Sequence, residues 1–321
     1  MIGDIDVRNL PYIRYMPMTS RPPIAWPGGA RVAFWLALNV EVYEFQPPPN
    51  RYSSIYARGV PVPDVLTHSM LDYGNRIGFW RLMDLFDELG IPISVSLSMS
   101  AFEEVPEITD AIRSRDWSIF SHGIYNTRFL YGMSADESDQ WIEQNVALYR
   151  EYTGERLRGL FGPCISLSPH SMEAWSRAGI DYVVDWFMDD QPFPVEVQPM
   201  PLVNVPYSFD INDGLVMGSM PGRGGRWESD YFERICRDQL DTLRDEGERD
   251  GRVMCMSLHP FVSGHPARLP AIRRVLEYVK SHDDVWLTTA EAIADHYRVA
   301  HLDQALTWRL DEAERLDRQR D

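Results

Sequence analysis

The chain has 321 residues, 44% of them hydrophobic and 25% charged, an ordinary balance for a globular protein able to bury a large core. Its formal charge of −17 sets the surface against phosphate backbones and anionic headgroups, which argues against nucleic acid and membrane as partners. No apolar run approaches the roughly 18 residues that span a bilayer, and the opening MIGDIDVRNLPYIRYMP lacks the features of a secretory signal, so a cytoplasmic protein is expected.

Residues 1–30, rich in Pro, Arg and aromatics and ending in Trp26-Pro27-Gly28-Gly29, read as an extended arm. Residues 31–39 (RVAFWLALN) follow as a strand, continuous rather than alternating in hydrophobicity and so buried on both faces, as in a parallel sheet. Residues 46–63 hold many of the prolines and predict a long loop. A helix is predicted over 76–89, where Phe79, Leu82, Met83, Phe86 and Leu89 recur at helical spacing and Gly90 supplies the stop. A strand at 91–98, a helix at 106–115 and a strand at 117–120 lead into Ser121-His122-Gly123. The next helix, 134–152, opens on a capping-box pattern, Ser134 with Glu137, and closes at Gly154.

Further on, the pattern gives a helix at 168–178, strands at 182–185 and 202–206, and a helix at 231–246. A buried strand at 252–258 runs into His259-Pro260, and helix, strand and helix follow at 269–280, 285–288 and 289–297. This alternation argues for a parallel sheet with right-handed crossovers, either a barrel or a doubly wound sheet. The expected organisation is an arm (1–30), a catalytic barrel (31–300) and a charged tail or helix (301–321).

Cys164, Cys236 and Cys255 are odd in number, widely spaced and free of any CxxC pattern, which suggests neither a disulfide framework nor a zinc ribbon; a structural role is expected for each. Gly222-Arg223-Gly224-Gly225 lacks a preceding apolar strand and the Lys-Ser/Thr ending of a phosphate cradle, and reads as a loop. The chemistry concentrates instead at the C-terminal ends of the predicted strands: Asn39 and Glu41, His122, Asp185 with Asp189 and Asp190, and His259. In parallel β/α folds active sites are built at that edge. His265 and Arg268 follow on the same loop as His259, facing either a substrate carboxylate or solvent, while His68, His282, His296 and His301 read as surface or helix positions.

Leu38-Asn39-Val40-Glu41, Ser121 to Asn126, Arg158-Gly159 through Gly162-Pro163, Asp185-Trp186 through Gln191-Pro192, and Leu258-His259-Pro260 stand in the order of five motifs. In these the chain resembles the polysaccharide-deacetylase (NodB-homology, carbohydrate esterase family 4) superfamily, nearest the branch of allantoinases, cyclic imidases and intracellular peptidoglycan-deacetylase-like proteins. The resemblance implies an α/β fold, a distorted (β/α)7 barrel, and a homo-oligomer, dimer or tetramer. It makes Glu41 and His122 metal-ligand positions and puts Asn126 where a second histidine ligand would stand and Asn39 where an aspartate base would stand. An amide oxygen is a poor zinc ligand and an amide no general base, so a divalent metal such as zinc is expected to bind weakly or not at all.

His259 matches the histidine that protonates the leaving nitrogen, with Asp185, Asp189 or Asp190 expected to orient it. Asn39, Asn126, Arg128, Phe161, Trp186 and His265 are the expected substrate contacts. The expected activity is hydrolysis of a C–N bond in a small cyclic amide, imide or ureide. Two alternatives stand beside it: de-N-acetylation of an amino sugar or other acetamide, and an inactive barrel that binds a small molecule.

Overall fold

In the computed structural model, which describes residues 12–13, 15–50, 63, 65–218 and 228–308, the strand β1 (Val32–Val40) is buried at every position. Its two faces meet different partners, because successive strand side chains point to opposite sides. Val32, Phe34, Leu36, Leu38 and Val40 pack against the helices; Ala33, Trp35 and Ala37 turn inward to meet Phe120, Tyr182, Val203, Val253 and Cys255. Continuing the inward parity carries Asn39 and Glu41 to the C-terminal mouth of this interior.

The other strands are β2 (Ile93–Leu97), β3 (Ser118–Ser121), β4 (Gly159–Leu160), β5 (Tyr182–Val183), β6 (Phe193–Val195), β7 (Leu202–Asn204), β8 (Arg252–Leu258) and β9 (Val285–Thr288). They form one sheet in the order β6-β7-β5-β4-β3-β2-β1-β8, parallel except for the β6–β7 pair. β9 pairs with β1 over Val32–Trp35, just before β2 takes up pairing at Leu36, so both share one edge of β1. The distorted barrel is thus seven parallel strands, β1 to β5 with β7 and β8, supplemented among the described residues by β6 and β9.

Closure between β7 and β8 is irregular. The N–H of Val253 donates to the Asp190 carbonyl, that of Cys255 to the Ser208 hydroxyl, and Asn212 pairs with Ser257 as an isolated parallel bridge. These contacts bring residues 208–213 to the mouth beside β8, a placement that matters for the site.

Crossover helices follow their sequence signals closely. Phe79–Leu89 ends with Gly90 left-handed at φ 62°, and Ala135–Thr153 begins with the Ser134–Glu137 capping box complete. Leu269–Lys280 buries Ile272, Val275, Leu276 and Val279 on one face. A helix over Val65–Tyr73 follows the predicted loop, in a stretch where the sequence pattern marks no element. Much of the loop itself, residues 51–62, and the glycine run 222–225 lie outside the described residues, as do 309–321 of the charged tail. No helix among the described residues is long and apolar enough to cross a membrane.

Candidate active site

Inward parity on three strands builds the site. On β8, Val253, Cys255 and Ser257 alternate inward and the next inward position is His259; on β3, Phe120 is followed by His122; on β1, Ala37 and Asn39 are followed by Glu41. Glu41 and His122 are buried at 5% and 2% exposure, and Nε2 of His122 lies 3.3 Å from Oε1 of Glu41. Nε2 of His259 lies 3.6 Å from the same oxygen. A carbonyl can only accept, so the 3.2 Å contact between Nδ1 of His122 and the Phe161 carbonyl puts a proton on Nδ1, while Nε2 faces Glu41.

His259 is held from the other side by Asp213. One oxygen of Asp213 accepts from Nδ1 of His259 at 2.6 Å; the other accepts from the backbone N–H of His259 at 2.8 Å and from the Ser263 hydroxyl at 2.6 Å. Burial opposes a charge on this imidazole, but the carboxylates of Asp213 and Glu41 outweigh it and push His259 up to about 10. Burial likewise opposes the charge on Glu41, and His259 and His122 hold it well below the usual carboxylate range. His259 is therefore an imidazolium and Glu41 a carboxylate at neutral pH.

Tyr43 and Asn126 complete this wall. The Tyr43 hydroxyl donates to Oε2 of Glu41 and accepts from Nδ2 of Asn126 at 2.7 Å, while Oδ1 of Asn126 accepts the Cys164 N–H at 2.8 Å. Burial, reinforced by the Glu41 charge, pushes the phenol well above its ordinary value and keeps it a donor. The cavity these groups surround has a volume of about 100 Å³ and is walled by Phe161, Ile165, Tyr207, Phe209, Leu215 and Phe261.

The turn that carries His259 is seated by bare backbone. A Cβ on Gly78 would run into the Pro260 carbonyl, and one on Gly264 into the backbone of Gly78. Only glycine permits this approach between the π-helical turn Gly74–Gly78 and the short helix Pro260–Ser263.

Glu41, His122, Asn126, Phe161 and His259 thus converge on one cavity. Asn39 does not line it: its Nδ2 lies beneath, donating to the Tyr207 hydroxyl, the Ser257 hydroxyl and the Leu258 carbonyl. The expected aspartate partners of His259 are corrected by the geometry, since Asp213 fills that role. Asp185 instead accepts the Gly162 N–H at 2.8 Å, and burial pushes its carboxyl up to about 8. Asp189 pairs with Arg21, and Asp190 faces the outer edge of β8 through its carbonyl.

Three expected substrate contacts also lie elsewhere. Arg128 pairs with Glu44, Trp186 packs edge-on to Tyr12, and His265 stacks on Tyr73 with ring centroids 4.2 Å apart. Sequence reasoning passes over Asp213 and Tyr43; Asn212-Asp213-Gly214 carries the ordinary signature of a turn.

A divalent metal, which the resemblance implies, does not fit this donor set. Both amide atoms of Asn126 are engaged, by Cys164 and Tyr43, and His259 is held as an imidazolium between Asp213 and Glu41, which leaves Glu41 and His122, short of the three protein ligands usual in catalytic zinc sites. Among the described residues no group of three or more His, Cys, Asp and Glu is arranged to hold a metal.

No family model matches the chain. It is 24% identical over 331 aligned residues, 92% of the chain and 98% of the relative, to a Schizosaccharomyces pombe protein that carries the name polysaccharide deacetylase. To the peptidoglycan deacetylase of Helicobacter pylori it is 22% identical, over 74% of the chain and 89% of that protein. Among solved structures it superposes on an allantoinase at TM-score 0.77 and 28% identity, covering 88% of this chain and 95% of that one. A structure from Pseudomonas aeruginosa PAO1, also bearing the name polysaccharide deacetylase, gives TM-score 0.76 and 27% identity over 87% and 95% of the two chains. With the five motifs in order and a similar barrel over nearly its full length, the chain is similar in sequence and fold to the polysaccharide-deacetylase (NodB-homology) superfamily.

Proposed function

We propose that the protein hydrolyses a non-peptide C–N bond in a small cyclic amide, imide or ureide. The observation that carries this reading is the pairing of a protonated His259, braced by Asp213, with the Glu41–His122 pair across a small aromatic-walled cavity. Amide hydrolysis needs a base for the attacking water and an acid for the departing nitrogen, and these are two such groups.

In this reading, water bound beside Glu41 and His122 gives its proton to that pair as its oxygen bonds to the carbonyl carbon. The C–N bond then breaks, its electron pair stays on nitrogen, and His259 delivers the proton from Nε2. Asp213 holds Nδ1–H throughout, fixing the tautomer and stabilising the imidazolium. Transfer of the water-derived proton out through solvent, and uptake of one by His259, restore the starting state. No step runs through a metal.

The cavity volume of about 100 Å³ favours a compact ring over a polymer. One observation favours the other reading, de-N-acetylation of an amino sugar: a larger space of about 600 Å³ lies on the far side of Tyr43, bounded by Glu44, Asp72, Arg76, Glu104 and Tyr125, where an extended substrate could rest. The two separate on a panel of allantoin, dihydrouracil, hydantoin and succinimide against N-acetylglucosamine oligomers. Ring opening is the expected result; acetate release from the oligomers, with every ring untouched, reverses the assignment.

A further inference from the structure

Two neighbouring residues of the cavity rim, Cys164 and Ile165, hold positive φ angles of 49° and 56°, a conformation that costs free energy for any residue with a Cβ. Strain of this kind persists where surrounding contacts fix it, and here it aims the Cys164 N–H at Oδ1 of Asn126. That bond settles which amide atom of Asn126 is oxygen and turns Nδ2 towards Tyr43. With its oxygen already accepting from Asn126, the phenol directs its own hydrogen to Oε2 of Glu41. Oε1 is left facing both imidazoles.

We propose that Tyr43 and Asn126 act as a positioning pair for Glu41, a one-way hydrogen-bond relay from the Cys164 backbone that fixes the carboxylate's rotation so that one oxygen serves the water. The inference deepens the hydrolytic reading above and rests on it for its kinetic consequence, not for its structural one. Without the relay a carboxylate pivots freely about its last torsion and exchanges its two oxygens. Asn126 acts on Glu41 through the Tyr43 hydroxyl.

Tyr43→Phe should lower kcat about tenfold to a hundredfold, the scale of a hydrogen bond to a charged group, with little change in KM. Asn126→Ala should lower kcat in the wild-type background and add nothing to Tyr43→Phe, because residues in one relay are non-additive. If Asn126→Ala does not fold, Asn126→Asp keeps the acceptor for the Cys164 N–H but competes with Glu41 for the phenol hydrogen, and should match the loss of Tyr43→Phe. Losses that simply multiply in the double variant overturn the proposal. In substrate-free protein the phenol proton should appear as a protected downfield proton NMR resonance, absent in Tyr43→Phe and faster to exchange in either Asn126 variant. A resonance indifferent to Asn126 also overturns it, and this measurement decides the relay even if the wild-type protein opens no ring on the panel.

Discussion

Asp213 grips His259 at two points, one oxygen on Nδ1 at 2.6 Å and the other on the backbone N–H at 2.8 Å, so a single buried carboxylate sets both the ring's proton and the bend of the chain that presents it. The aspartate is itself completely buried, with the Ser263 hydroxyl as its third donor. A charge so enclosed is tolerable only because each oxygen is hydrogen-bonded and an imidazolium lies against it.

Removing the acid should therefore be costly and specific. His259→Ala is expected to cut kcat by about a hundredfold to ten-thousandfold, the range for losing a general acid, with the far-ultraviolet circular dichroism unchanged. Asp213→Asn should produce a loss of similar order by releasing the tautomer. Wild-type turnover in both variants would remove His259 from the mechanism.

The pH profile follows from the same pair. A general acid works below its own pKa, and with His259 raised to about 10 the rate should hold through neutral pH and decline only as alkalinity approaches that value. In Asp213→Asn the decline should move towards the ordinary imidazole value of about 6.5. The stabilising contribution of the charged His259 has the same sign: it is complete below about pH 6.5 and is lost as pH climbs through the folded value. A rate that fell already between pH 6 and 7 in the wild-type protein would contradict the assignment.

Asp185 should behave in the opposite sense to a salt-bridged carboxylate. Burial raises it to about 8, so the folded chain prefers it protonated, and its contribution is most favourable below about pH 4 and worsens as pH rises towards 8. Asp185→Asn keeps an acceptor for the Gly162 N–H and removes that penalty. The variant should gain on the wild-type protein by on the order of 1 kcal/mol per pH unit across that window, read from denaturant midpoints. A stability difference that stays flat from pH 4 to 8 would mean that the carboxyl ionises normally.

Exposure to a chelator provides a separate check. Because the donors beside Glu41 and His122 are engaged, turnover should survive dialysis against a strong chelator, and metal analysis should find no stoichiometric zinc. Stoichiometric zinc retained after that treatment, with activity that follows it, would require another ligand set.

Much of this was legible in the sequence, and the exceptions have physical causes. β8 and Leu269–Lys280 coincide with their predicted bounds because a fully buried strand or one-sided helix writes its burial directly into residue type. Glu41, His122 and His259 were recognisable because the strand end fixes where their side chains emerge. The two-residue strand β4 is too short to carry a pattern, and Val65–Tyr73 exposes Val65 and Leu66, so its apolar residues do not mark one face. Asp213 escaped for a different reason. It meets His259 only because an irregular crossover closes the barrel, a pairing of residues 46 apart that local spacing does not encode.

A methyl group at the glycine seat should report on the histidine from a distance. Gly78→Ala places a Cβ against the Pro260 carbonyl, and the overpacking should cost about 1–3 kcal/mol or more, seen as a lower melting temperature. The displaced turn should also lower kcat, since a shift of about 1 Å at a reacting group can cost about a hundredfold. A variant as stable and as active as the wild-type protein would show that the turn yields without moving His259.

That seat separates two kinds of change open to this protein. The proton donor and its brace, His259, Asp213 and Ser263, sit together against touching backbone, where almost any substitution is felt at once. Phe161 and Ile165 reach the cavity from a different connection, the one that follows β4, and make no part of that contact. Variation among these walls can alter which ring or acyl group is admitted while the bond-breaking apparatus stays in place. One barrel can in this way acquire new substrates by exchanging its rim, without rebuilding its acid.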